Sequence, residues 1–174
     1  LGGVAVIYKS KYGSTRRYAE WIGSALGASV LEAGAVKPDS LMGYDLVIYG
    51  GGLYAGGING VDLVTKKPCK ALVVFTVGLA DPSETDYTGV LDQNFKGGLR
   101  SAVKVFHLRG GIDFGKLGLV HKGIMAMVRK SIAKKNPAQM SGEEKAIALI
   151  NGENADFTDR AAIEPIVAYV KEIL

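Results

Sequence analysis

The opening of the chain constrains its fold more than any other stretch. Val4 to Lys9 (VAVIYK) is a continuous apolar run of strand length, and Ser10 to Gly13 (SKYG) breaks it with polar residues and a glycine. Ser14 to Leu26 then places Tyr18, Ala19, Trp21, Ile22, Ala25 and Leu26 at helical spacing before Gly27 supplies a stop. A strand with no polar alternation is buried on both faces, as in a parallel sheet covered by helices. The reading is strand, tight loop, helix.

The same grammar repeats along the chain. Ser29 to Glu32 is a weaker second strand, and Asp45 to Tyr49 (DLVIY) a strong third, followed by the glycine-dense stretch Gly50 to Gly60. A helix is expected from Asn59 to Lys66, a fourth strand from Ala71 to Val77 (ALVVFTV), and a helix weakened by Gly97 and Gly98 from Tyr87 to Ser101. Val103 to Leu108 (VKVFHL) is the fifth strand. Leu119 to Lys135 reads as a helix with an apolar stripe of Leu119, Val120, Ile124, Met127, Val128 and Ile132, and Asn136 to Asp156 as polar loop with about one helical turn. Asp159 to Ile173 closes the chain as an amphipathic helix that starts near Ile163 or bends there, because Pro165 is late for a first turn. At 174 residues this alternation predicts one domain, 1–174: a three-layer α/β/α fold on a doubly wound, five-stranded parallel sheet in the order 2-1-3-4-5.

Composition narrows the chemistry. No apolar run approaches the length of a membrane span and no cleavable signal pattern precedes the first strand, so a cytoplasmic location is expected, peripheral on a membrane's inner face at most. One cysteine, Cys69, and two histidines predict neither an internal disulfide nor a metal site. Charge is unevenly spread. Between Lys96 and Lys135 ten Lys or Arg face one acid, Asp113, so this segment carries about +9 and the remainder about −5 within a net +4.

In an open parallel sheet, ligands bind beyond the carboxyl ends of the strands at the switch point. After the first strand come Ser10, Lys11, Tyr12, Gly13, Ser14 and Thr15, hydroxyl-rich and opening into a helix whose unpaired N–H groups suit a phosphate. A P-loop would need a longer glycine-rich run ending in Gly-Lys-Ser or Gly-Lys-Thr, and a dinucleotide fingerprint three glycines after the first strand; neither is present. After the third strand, Gly52, Leu53, Tyr54, Ala55 and Gly56 offer an approachable backbone and an aromatic ring. After the fourth, Thr76, Val77, Gly78 and Leu79 line the other side. Three loops on one crevice suit a mononucleotide with an attached flat ring.

The segment VAVIYKSKYGSTRRYAEWI resembles the flavodoxin opening, strand, Ser/Thr-x-x-Gly-x-Thr, helix, and the order of elements resembles a flavodoxin-like fold over nearly the whole chain. The resemblance implies FMN, held non-covalently, with Ser10 to Thr15 on its phosphate, Gly52 to Gly56 on one side of the isoalloxazine and Thr76 to Leu79 on the other. The segment VKVFHLRGGIDFGKLGLVHKGIMAMVRKSI further resembles the flavodoxin-like protoporphyrinogen dehydrogenases, through Phe106, Gly110, Gly111, Ile112, Asp113 and Phe114 and the basic helix after them. That implies electron transfer from a porphyrinogen to a quinone. The second loop departs from those enzymes, with Tyr54, Ala55 and Gly57 where they often carry a basic residue, and the stretch before the last helix is longer.

A bound flavin would carry the chemistry, and no catalytic side chain is nominated, since neither His107 nor His121 has a sequence neighbour that marks a general base. The expected partner is a redox partner, a quinone or another flavoprotein. The basic 96–135 segment suits an anionic substrate or an anionic membrane surface. The helix from Leu119 to Lys135 fits either packing on the core with a solvated basic face or an interfacial position. A soluble flavodoxin-type electron carrier is the alternative function, although such carriers are typically acidic and the pI here is about 9.1. No nucleic-acid partner is expected, for want of a recognition motif.

Overall fold

Three apolar runs, each flanked by glycine or small polar residues, form the centre of the sheet because each can bury both its faces. The computed structural model describes residues 3–150 and 154–174. Strands β1 (Val4–Lys9), β2 (Ser29–Glu32), β3 (Leu46–Tyr54), β5 (Leu72–Gly78) and β6 (Lys104–Arg109) pair in parallel in the order β2-β1-β3-β5-β6. A short β4 (Gly57–Ile58) hairpins back antiparallel on β3. The sheet is the doubly wound one expected from the sequence.

Alternate residues of each strand feed two cores. On one face Val6, Ile48, Val73 and Phe75 pack under α1 (Ser14–Leu26) and the last helix, α7 (Glu164–Ile173), against Tyr18, Ile22, Ile166 and Val170. On the other, Ala5, Ile7, Val47, Tyr49 and Val74 meet Leu41, Val61, Val64 and Phe95 from the connections and from the one-turn α2 (Asp62–Thr65). Each fully buried aliphatic or aromatic side chain contributes about 1.5–3 kcal/mol. Tyr18 ties three elements together: its hydroxyl donates to the Arg109 carbonyl at 2.7 Å and accepts from the Asp159 amide at 3.1 Å.

Several boundaries differ from the sequence expectation for physical reasons. The third strand does not stop at Tyr49. Gly50 and Gly51 continue it, because a Cβ on Gly50 would lie 2.1 Å from Phe75 Cζ and one on Gly51 2.6 Å from Ile58 Cγ2. The expected helix from Asn59 is a single turn, and the helix expected from Tyr87 to Ser101 is two, α3 (Thr88–Asn94) and α4 (Gly98–Ala102), broken where Gly97 takes φ 55°. The last helix starts where Pro165 allows, as a 3-10 turn over Arg160–Ile163 continued by α7.

The largest departure lies between β6 and α7. Strands β7 (Gly111–Asp113) and β8 (Asn154–Asp156) form an antiparallel ribbon that closes an excursion spanning 114–153. Within it lie α5 (Leu119–Ile132) and α6 (Gly142–Leu149), the latter in place of the polar loop with about one helical turn expected after Asn136. The stripe of α5 does not pack as a unit. Ile132 is buried and Val128 half-buried, whereas Leu119, Val120, Ile124 and Met127 are exposed.

Candidate functional site

Strands β1 and β3 lead side by side to the carboxyl edge of the sheet, with β5 next to β3, so three loops converge there. Gly52 sits at their meeting point: a Cβ on it would lie 3.8 Å from Thr15 Oγ1 of the first loop and 3.9 Å from the Val77 carbonyl beside the third.

The first loop is a bed of open donors. Gly13 takes φ 100°, no side chain caps α1, and the first intrahelical bond runs from Arg17 N to Gly13 O. Among the described residues, the amides of Ser14, Thr15 and Arg16 therefore have no acceptor, and the first turn carries no acid. The Ser10 hydroxyl accepts from Gly13 N at 3.1 Å and shapes the turn; the Ser14 hydroxyl accepts from Gly111 N at 3.1 Å and keeps its own proton to donate. Thr15 is buried, close to the meeting point of the loops. Lys11 Nζ lies 5.3 Å from the Tyr12 ring and 5.9 Å from the Tyr54 ring, and donates to His121 Nε2 of α5 at 2.8 Å. A cleft of about 280 Å³ lined by Tyr8, Ser10, Gly13, Arg16 and Glu32 opens on the outer flank of this loop.

The second loop is a tight hairpin rather than a loose glycine run. Tyr54 pairs with Gly57, and Ala55 (φ 48°) and Gly56 (φ 79°) make the turn between them. Leu53 leans toward Gly78, with its Cδ1 3.3 Å from where a Cβ there would be, and Tyr54 is 67% exposed. This leaves an open aromatic surface beside Lys11, carried on a paired backbone.

At the third loop the expected residues divide. Thr76 and Val77 are strand residues. Thr76 is wholly buried, with Oγ1 2.6 Å from His107 Nδ1, and Val77 packs in the core, so neither side chain faces the crevice. His107 stacks on Tyr87 at 3.6 Å with rings 6° apart, and burial pushes its pKa down to about 4. Gly78 and Leu79 do reach the crevice, but their polar groups are taken. Gly78 O accepts from Gly110 N at 2.7 Å, Leu79 O from Arg109 Nε at 3.1 Å, and the Leu79 amide donates to the Glu143 carboxylate, at 3.1 Å to Oε1. Arg109 in turn lies over the Phe157 ring at 4.0 Å and 3.9 Å from Asp81.

The motif Phe106 to Phe114 acquires a packing explanation. A Cβ on Gly110 would lie 2.6 Å from Val77 Cγ1 and 3.3 Å from Ser14 Cβ, and one on Gly111 2.6 Å from the Ala155 carbonyl. Two glycines let the chain leave β6 across the first loop and enter the ribbon. Asp113 then caps the next turn, accepting from Gly115 N and Lys116 N, and Phe114 carries the Arg129 guanidinium on its face at 4.0 Å. Sequence reasoning does not single out Glu143 or Arg109 as site residues. No local pattern marks Glu143, whose contact is made across 64 positions.

A family model described as a flavodoxin domain matches residues 5–139, more than half of the chain. No curated protein matches. Among solved structures, the chain is similar to the flavodoxin, WrbA-like protein from Agrobacterium tumefaciens (22% identity, 59% of this chain and 74% of that one, TM-score 0.40). It is also similar to a flavoprotein in complex with FMN from Lactobacillus acidophilus NCFM (15%, 61% and 91%, 0.40) and to oxidised Flavodoxin 1 from Bacillus cereus (16%, 62% and 84%, 0.41).

Proposed function

Because the chain belongs to the flavodoxin domain family, we propose that it is an FMN-dependent redox protein whose first loop holds the phosphate and whose second and third loops flank the ring. The observation that carries this reading is the uncapped start of α1, with three amides lacking acceptors, in a loop that also carries the hydroxyls of Ser10, Ser14 and Thr15 and the ammonium of Lys11. A phosphate dianion fits that donor set. Leu53 and Tyr54 offer an apolar and an aromatic surface to the ring on one side, and Gly78 and Leu79 the other wall. When bound, FMN supplies the electron-transfer chemistry; the protein contributes an anchor, a wall on each side and, at Lys11, a positive charge.

The test is direct. Purified protein titrated with FMN should quench flavin fluorescence to a stoichiometric end point and gain thermal stability, and riboflavin, lacking the phosphate, should bind far more weakly. Equal binding of the two would overturn the phosphate bed.

For the reaction itself, the basic 96–135 segment and the Phe106–Phe114 motif favour oxidation of an anionic porphyrinogen, whose hydrogen atoms would pass by way of the flavin to a quinone that leaves as quinol. The outward face of α5 supports a membrane-surface site for that quinone: Leu119, Val120, Ile124 and Met127 are exposed beside Lys122, Lys130 and Lys134, an arrangement that suits the headgroup layer of an anionic bilayer. The departures at Tyr54, Ala55 and Gly57 favour the second reading, an electron carrier without its own substrate. Anaerobic reduction of the FMN-loaded protein by a porphyrinogen, followed by reoxidation with a quinone or an oxidised partner flavoprotein, separates the two. Sedimentation with anionic but not neutral vesicles, lost when Val120, Ile124 and Met127 are replaced by Ser, checks the surface.

A further inference from the structure

Described residues of the excursion between β7 and β8 touch the crevice through His121, on Lys11 of the first loop, and through Glu143, on the third. The first turn of α6 contains adjacent glutamates with different employment. Glu144 completes a capping box with Ser141 and pairs with Lys135 at 2.6 Å. Glu143 is left to reach away from the helix. Its Oε1 accepts from Leu79 N at 3.1 Å and from Ala80 N at 3.3 Å, and its Oε2 from Leu79 N at 3.3 Å. A Cβ on Gly78 would lie 2.6 Å from Oε1 and 3.3 Å from Leu53 Cδ1, so the carboxylate stands between the second and third loops. The helix start is pressed close behind it: a Cβ on Gly142 would be 2.5 Å from Thr85 Oγ1 and 3.1 Å from Ala80 Cβ.

We propose that Glu143 is an internal competitor for the cofactor ring: its carboxylate fills the amide pair of Leu79 and Ala80, and FMN binding replaces it there with a carbonyl oxygen of the ring, releasing the first turn of α6. The proposal rests on the FMN reading above. A flavin's pyrimidine edge presents carbonyl oxygens, and an acceptor entering between Leu53 and Gly78 finds its donors already engaged. Glu143 can yield because it sits at the end of a flexible side chain and regains water when it swings out. By linkage, whatever holds α6 on the third loop weakens FMN binding, and FMN weakens the hold on α6 to the same degree.

The experiment compares the full chain with E143Q and E143A by FMN titration and by amide hydrogen exchange with and without FMN. E143A should bind FMN about tenfold tighter, the scale of a hydrogen bond to a charged group, with E143Q between it and the parent. Exchange of the Gly142–Leu149 amides should accelerate on FMN addition in the parent and should already be fast in E143A without FMN. Binding by E143A no tighter than the parent's, or α6 exchange indifferent to FMN, overturns the proposal and leaves FMN binding standing. No FMN binding by any of the three chains overturns both.

Discussion

The first and third loops start from the same situation, each leaving a strand with a buried centre at one edge of a single sheet, and end in opposite electrostatic states. The first leaves the amides of Ser14 to Arg16 open; the third has the polar groups of Gly78 and Leu79 engaged by Gly110, Arg109 and Glu143. The difference comes from the segment that each loop leads into. Behind the first loop a 13-residue helix begins at once, and a helix cannot satisfy its own first amides. Behind the third the chain runs irregularly to Tyr87, so its backbone must find partners elsewhere, and finds them in β6 and in α6. A donor stays available for a ligand where regular structure prevents the protein from using it.

That contrast can be broken at the first loop with the largest effect. S14D keeps an acceptor for Gly111 N and a favourable charge at the helix start, yet places a carboxylate among the open amides proposed to take the phosphate; FMN should bind about a hundredfold more weakly by fluorescence titration, with riboflavin little changed. Support for the third loop can be probed through pH. The folded pKa of His107, about 4, lies below its ordinary value near 6.5. The unfolded chain therefore takes up this proton first as pH falls, and the stability contributed by the neutral ring, complete above about 6.5, is lost progressively toward pH 4. Allowing for partial exposure the loss should be about 1–2 kcal/mol, and chemical denaturation of H107Q across that window should show a flatter profile. K11A should weaken FMN about fivefold, in a salt-sensitive way, by removing one cation beside the bed. The smallest change sharpens the comparison from the other side: G78A adds a methyl group where Glu143 Oε1 sits, and should speed exchange of the Leu79 and Ala80 amides about two- to threefold.

Sequence legibility divides along the same line. β1, α1 and β2 coincide with the expected Val4–Lys9, Ser14–Leu26 and Ser29–Glu32, because each is a local object: an apolar run, a helical spacing, a glycine stop at Gly27. The first loop is legible for that reason too. Gly50 to Gly52 read as loop because glycine usually marks one, whereas here the absent side chains make room for Phe75 and Ile58 within a strand. The stripe of α5 is legible as a pattern but not in its direction, since periodicity cannot tell a face turned to the core from one turned to solvent. Glu143 lies beyond reach because its meaning depends on a contact with Leu79 and Ala80 made across more than sixty positions, in a segment entered through the β7–β8 ribbon.

That ribbon has a consequence for how the protein could be rebuilt. Asp113 and Asn154 are register partners, so the chain leaves and re-enters the main body at one place, like a cassette slotted between β6 and α7. Everything between them could be exchanged for a short turn without rethreading the sheet. The α5 face and Glu143 would then change together, by swapping one contiguous segment while the first loop and its open amides stayed as they are.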